Sequence, residues 1–251
     1  SNVSLSFTEM VDNRVQTLGA AALYVQSSTI FLWHVRVEDN SVEVDSHIEP
    51  PPMRLGEIHF PEIVSGSGIV CDDGSSAEIS HSRFANNQGA AALVVSESTL
   101  HLGNSVVRAN DARNVDSYQP ASAAVSLIKG AVGTIVNTMF SGNKGEAAGA
   151  LLIARSSAFI LHSSFISNAG ASARATAGAL FISDSSSVAA ENSAFATNMG
   201  SGETVAGAII SFYSTITLTT SQLEQNHVSD NLVSPILGAG AVLTLESSTF
   251  V

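Results

Sequence analysis

Two short signatures alternate along the chain at a spacing that hardly varies. The first is small-small-aliphatic: Ala21-Ala22-Leu23, Ser67-Gly68-Ile69, Ala91-Ala92-Leu93, Ala123-Ala124-Val125, Gly149-Ala150-Leu151, Gly178-Ala179-Leu180, Gly207-Ala208-Ile209 and Gly240-Ala241-Val242. The second is an apolar residue followed three positions later by Asn, at Asn13, Asn40, Asn87, Asn110, Asn143, Asn168, Asn198 and Asn226. From the second small residue to the following Asn the intervals run 18, 19, 18, 19, 18, 19 and 18. From each Asn to the next small residue they scatter between 5 and 28. A segment of fixed length thus alternates with one of free length, the mark of stacked repeats joined by loops.

Within the fixed segment the apolar period is two. Leu23 and Val25 share a face, then Ile30 and Leu32 after a Ser-Ser corner, with Leu93, Val95, Leu100 and Leu102 and then Ile209, Ser211, Ile216 and Leu218 repeating the pattern. Short runs rich in Val, Ile, Thr and Phe between Ser/Gly corners read as strands. Three such strands per coil predict an all-β, single-stranded parallel β-helix of about eight rungs, right-handed by the usual hand of parallel crossovers. The expectation is one domain over residues 1–251, with a loop insertion at 41–64. Inward aliphatics stack between rungs, and Phe84, Phe140, Phe165 and Phe195 form a core stack near one corner. The small residues mark tight bends or close crossings. The eight Asn form a structural ladder, bonding local main chain and one another along the axis.

Composition narrows the partners. The chain is 45% hydrophobic but only 13% charged, which excludes a typical helical protein with charged solvent faces and argues against bulk disorder. Its net charge of −12 repels phosphate backbones and anionic headgroups, so nucleic acid is not an expected partner. No apolar stretch approaches the ~20 residues that span a bilayer, so no membrane insertion by this segment is expected. Cys71 is the lone cysteine and can form neither an intrachain disulfide nor a cysteine zinc site. No cofactor is implied. Neither terminus reads as a polar end-cap, which predicts a longer natural protein or covered ends, with end-to-end self-association a consequence of a bare rung.

The motif pair as it stands in Ala148-Gly149-Ala150-Leu151, Ala177-Gly178-Ala179-Leu180, Ala206-Gly207-Ala208-Ile209 and Ala239-Gly240-Ala241-Val242 resembles the Gly-Gly-Ala-aliphatic repeats of chlamydial polymorphic outer membrane proteins. Phe84-Ala85-Asn86-Asn87, Phe140-Ser141-Gly142-Asn143, Phe165-Ile166-Ser167-Asn168 and Phe195-Ala196-Thr197-Asn198 resemble their Phe-x-x-Asn half. Ala replaces the leading Gly, and Val, Met or Leu replaces Phe in several rungs. The resemblance covers nearly the whole chain outside 41–64. It implies an exported, extracellular or cell-surface passenger that serves in adhesion or as a stalk.

Solenoids bind through loops inserted on one face. The 41–64 insertion carries Glu43, Asp45, Glu49, Glu57 and Glu62 against Arg54, with His47, His59 and Pro50-Pro51-Pro52; as a candidate partner-binding loop it offers Glu43, Asp45, His47, Glu49, Arg54, Glu57 and His59. Loops 111–121 and 227–237 are weaker candidates. Polysaccharide cleavage needs clustered carboxylates with a nearby base or cation. Asp72-Asp73 is the one adjacent Asp-Asp pair, with His81 and Arg83 on the next strand, but Gly74 after it fits a polar turn. His34, His101 and His162 fall at similar rung positions near a corner and read as satisfied strand residues, with a stacked surface histidine line as the alternative. Thr217, Thr219 and Thr220 sit in one rung and do not extend into the arrays an ice-binding face needs. Asn2-Val3-Ser4 is the one N-glycosylation sequon. No catalytic residue is assigned. The expectation is a non-enzymatic surface scaffold, adhesin or filament subunit that binds a protein or glycan, with a carbohydrate-active β-helix as the alternative.

Overall fold

The computed structural model describes residues 1–15, 22–42, 66–113, 124–171, 175–228 and 235–250. The described chain coils into stacked rungs, and all its strand pairings are parallel and in register. Each full rung lays down a five-residue strand, a three-residue strand and a four-residue strand, as in Ser157–Leu161, Ser164–Ile166 and Leu180–Ser183. These stack into sheets of nine, nine and eight strands. At the usual ~4.8 Å between strands, nine stacked strands make a face roughly 40 Å long. A short fourth sheet follows the Asn corner over Lys144–Gly145, Ala169–Ala171, Met199–Ser201 and His227–Val228.

Alternation along each strand builds the core. In Thr29–Trp33 the side chains of Ile30 and Leu32 point inward, with 1% exposure each. In register above them lie Ala77 and Ile79, then Leu100 and Leu102. From the three-residue sheet Val37, Phe84, Val107, Phe140, Phe165, Phe195 and Leu223 enter the same interior. The Phe140, Phe165 and Phe195 rings stack at centroid separations of 4.7 and 4.8 Å. Phe84 occupies the same column but does not touch that stack, because Val107 stands between it and Phe140.

Among the described residues the corners that join the three long sheets follow one rule: one left-handed residue, or two in succession, points outward and the next residue points in. At the third corner the left-handed residue is Ser27, Glu97, Arg155 or Tyr213, followed by Ser28, Ser98, Ser156 or Ser214. Three rungs insert one more positive-φ residue there, Gly74 (φ 71), Gly130 (φ 88) and Ser185 (φ 61). These are the rungs whose interval is 19 instead of 18, so the alternation in length is the alternation of two- and three-residue corners. At the Asn corner the ladder Asn itself is not left-handed. That conformation belongs to the preceding residue, such as Asp39, Asn86 or Ser167.

The small residues act as anticipated in most rungs. A Cβ on Gly178 would lie 2.0 Å from the Gly207 carbonyl oxygen and 2.6 Å from the Met199 nitrogen, so only glycine fits the crossing. One match is accidental. Gly240-Ala241 is a corner, with Gly240 at φ 60, and the equivalent four-residue strand is Ile236–Ala239, whose register places Ile236 beside Ile209. Pro235 thus stands where the other described rungs place Ala or, in one case, Gly68.

A second apolar layer lies outside the coil. The outward side chains of the four-residue sheet, Val70, Val94, Leu152, Phe181 and Ile210, are buried against Ala91, Ala147, Ala148, Ala177 and Ala206. The near-continuous apolar runs Leu93–Ser96 and Leu151–Ala154 reflect burial on both faces.

Candidate functional site

The Asn ladder spans the described rungs. Each Asn Nδ2 donates to the Oδ1 of the next Asn, at 2.7 to 3.0 Å, from Asn13 through Asn40, Asn87, Asn110, Asn143, Asn168 and Asn198 to Asn226. The same Oδ1 accepts the backbone N–H of the previous Asn, as Asn143 does from Asn110 at 3.1 Å. A second Nδ2 proton goes to a main-chain carbonyl one rung back, as from Asn143 to Val107 at 3.0 Å. Asn40 through Asn198 are fully buried. Parallel Ser ladders line the other corners, where Ser82 N donates to Ser105 Oγ and Ser156 N to Ser186 Oγ. These polar groups are occupied by the fold, which leaves outward columns for recognition.

The five-residue sheet presents three such columns. Its middle column runs Ser4, Phe31, Glu78, His101, Thr134, Phe159, Ala189, Thr217 and Thr244. Thr217 therefore has one lateral Thr neighbour, a pair and not an array. The left-handed corner beside this face carries Phe7, His34, His81, Asn104, Asn137, His162, Asn192, Thr220 and Ser247. The alternative of a line through His34, His101 and His162 does not form. His34 and His81 are neighbours in the corner column, His162 lies three rungs beyond His81, and His101 belongs to the middle column of the sheet. His34, His81 and His162 each stand six residues before a ladder Asn and His101 stands nine before, so counting back from the Asn finds the true column.

These corners concentrate aromatic surface that periodicity does not reveal. Phe7 is 72% exposed and Trp33 47%. The Phe7 and His34 rings stack at 5.2 Å and 8°, and Trp33 packs its edge on His34 at 4.5 Å. His34 and His81 lie 5.2 Å apart.

The acid pair sits at a different corner. Asp72 Oδ2 accepts from the Tyr24 hydroxyl at 3.0 Å, and partial burial together with that carboxylate pushes the Tyr24 hydroxyl above its ordinary value. Asp73 Oδ2 accepts from Ser27 Oγ at 2.8 Å and Gln26 Nε2 at 3.3 Å. Asp73 and His81 flank opposite ends of Ser76–Ser80, and five extended residues separate them by roughly 17 Å. Arg83 faces elsewhere: its Nε lies 2.5 Å from Glu38 Oε1, at an angle too bent for a hydrogen bond. Glu38, only 4% exposed, also accepts from Arg36, which bonds Glu9. The structure does not bring Asp72, Asp73, His81 and Arg83 together.

The candidate loop residues Glu43, Asp45, His47, Glu49, Arg54, Glu57 and His59 lie outside the described residues. Of loop 111–121, Asp111 and Arg113 are described and paired, Nε to Oδ1 at 2.9 Å. Burial alone would raise the Asp111 carboxyl, but the bonds from Arg113 outweigh it and hold the group below its usual range. Among the described residues no cluster of three or more His, Cys, Asp or Glu could hold a metal ion, and no helix is long and apolar enough to cross a membrane.

No curated protein and no solved structure matches the chain. A family model described as a right-handed β-helix region matches residues 67–251, about three quarters of the sequence and every complete rung after the 41–64 insertion. Its parallel rungs, short left-handed corners and axial Asn ladder agree with that match, and the chain belongs to the right-handed β-helix family.

Proposed function

We propose that this chain is a non-enzymatic, extracellular rod that works as a surface scaffold or adhesin and offers its bare five-residue face to a protein or glycan partner. The observation that carries this reading is an asymmetry of faces. The outward side of the four-residue sheet is sealed by a second apolar layer, while the five-residue face keeps Phe31, Trp33, Glu78, His101 and Phe159 at the surface. Exposed aromatics beside polar groups are the usual anchors of recognition surfaces. The resemblance of the repeats to chlamydial surface passengers supports the same reading and an extracellular location.

The test pairs a glycan and protein array with a polysaccharide-cleavage assay. Binding without turnover, lost on Phe31→Ala or Trp33→Ala, supports the scaffold. Turnover abolished by Asp73→Ala overturns it in favour of a carbohydrate-active β-helix.

A further inference from the structure

We propose that His34 and His81 form a two-histidine site for zinc on the corner beside the five-residue face, with water completing the coordination. This stands independently of the adhesin reading.

Both side chains are exposed, and neither imidazole has a hydrogen bond or ion pair with any described residue, so their ring nitrogens are unused. Their backbones are fixed. Both take the left-handed conformation, at φ 52 and 51, and each donates its N–H to the carbonyl of the next rung, His34 to Ser80 at 3.2 Å and His81 to Gly103 at 3.1 Å. Packing fixes the His34 ring as well, since Phe7 covers one face and the Trp33 edge abuts it. Two exposed imidazoles are thus held side by side on adjacent rungs, although 47 residues separate them in sequence.

Their separation suits zinc. A zinc ion lies about 2.0–2.1 Å from an imidazole nitrogen and therefore about 3.2 Å from the ring centre, so a tetrahedral angle sets the two centres about 5.2 Å apart. The observed centroid separation is 5.2 Å, with the planes tilted by 37°. Coordination then requires the exposed His81 ring to turn until one of its nitrogens and one of the packed His34 ring face a shared point. Imidazole is a preferred ligand for zinc and for copper, and the net charge of −12 favours a cation.

The site has a built-in reporter. Trp33 is the sole tryptophan and its ring lies 4.5 Å from that of His34, so Cu²⁺ bound to the same nitrogens quenches its fluorescence strongly, and quenching lost in His34→Gln and His81→Gln but kept in His101→Gln assigns it to this pair. The experiment titrates the metal-free chain with Zn²⁺ by calorimetry and with Cu²⁺ by Trp33 fluorescence, followed by displacement of Cu²⁺ with excess Zn²⁺. We expect one Zn²⁺ per chain and quenching that Zn²⁺ reverses. His34→Gln and His81→Gln should each weaken binding on the order of 100-fold, because either turns a chelate into a single contact. His101→Gln and His162→Gln should leave it unchanged. Absence of quenching in the unsubstituted chain overturns the site, as does Zn²⁺ affinity that survives His34→Gln and His81→Gln or falls equally with His101→Gln.

Discussion

Removing one amide from the middle of the ladder tests whether the axial file holds the rungs together. Asn143 is fully buried. Its Oδ1 accepts the N–H and the Nδ2 of Asn110, at 3.1 and 2.9 Å, and its Nδ2 donates to Asn168 Oδ1 at 2.9 Å and Val107 O at 3.0 Å. After Asn143→Ala some partners keep a bond. Asn168 Oδ1 still accepts the Asn143 backbone N–H, and Asn110 Nδ2 still donates to Phe84 O. The Asn110 N–H and one Asn110 Nδ2 proton are left with none. An orphaned buried donor costs about 1–3 kcal/mol, so two cost about 2–6 kcal/mol. Urea unfolding followed by circular dichroism reads this as a lower midpoint at unchanged slope. The control is Asn86→Gly, an exposed position at φ 56 where glycine is at ease; it should stay within about 0.5 kcal/mol. Amide exchange at Asn110 should accelerate in Asn143→Ala and not in the control. A loss below about 1 kcal/mol, or equal losses in both variants, would refute the ladder as a source of stability.

Three other outcomes follow from the packing. Gly178→Ala drives a methyl into the Gly207 carbonyl and should cost several kcal/mol or prevent folding, whereas Gly74→Ala meets nothing within 4 Å and should cost only about 1–2 kcal/mol for its left-handed backbone, both read as Tm. Ser211 replaces an aliphatic in the core, above Ile182 and below Gly238, and its buried hydroxyl has no partner. Ser211→Val should raise stability by about 1–2 kcal/mol in the same urea assay. Burial pushes the Cys71 thiol up to about 12, so it should resist a thiol reagent at pH 8 until the chain unfolds. Because the folded chain keeps that proton longer than the unfolded one, its stability should fall as pH rises from about 9 towards 12, by at most ~1.4 kcal/mol per pH unit.

Much of the coil was legible because its grammar is local. Leu93, Val95, Leu100 and Leu102 point inward as the period-two pattern requires, and the Asn bond one another along the axis. Reading failed where one residue type serves two places. Gly240-Ala241 imitates a strand start but forms a corner, because the small residues that allow a crossing also allow a tight bend. The second apolar layer was hidden for a related reason: Val94 and Leu152 add to an apolar run without disturbing the inward period, and only the packed Ala residues show that their side is covered.

The amino-acid sequence by itself determined the contents of each rung, since strand lengths, corners and ladder positions are covalent counts that hold whatever the loops do. Only the closed coil decided which surface residues become neighbours. His34 and His81 meet across an insertion of free length, and Asp73 and His81, eight residues apart, are held apart by one extended strand. Lateral contact between rungs comes from hydrogen-bonded register, a property of the stack that no single repeat carries.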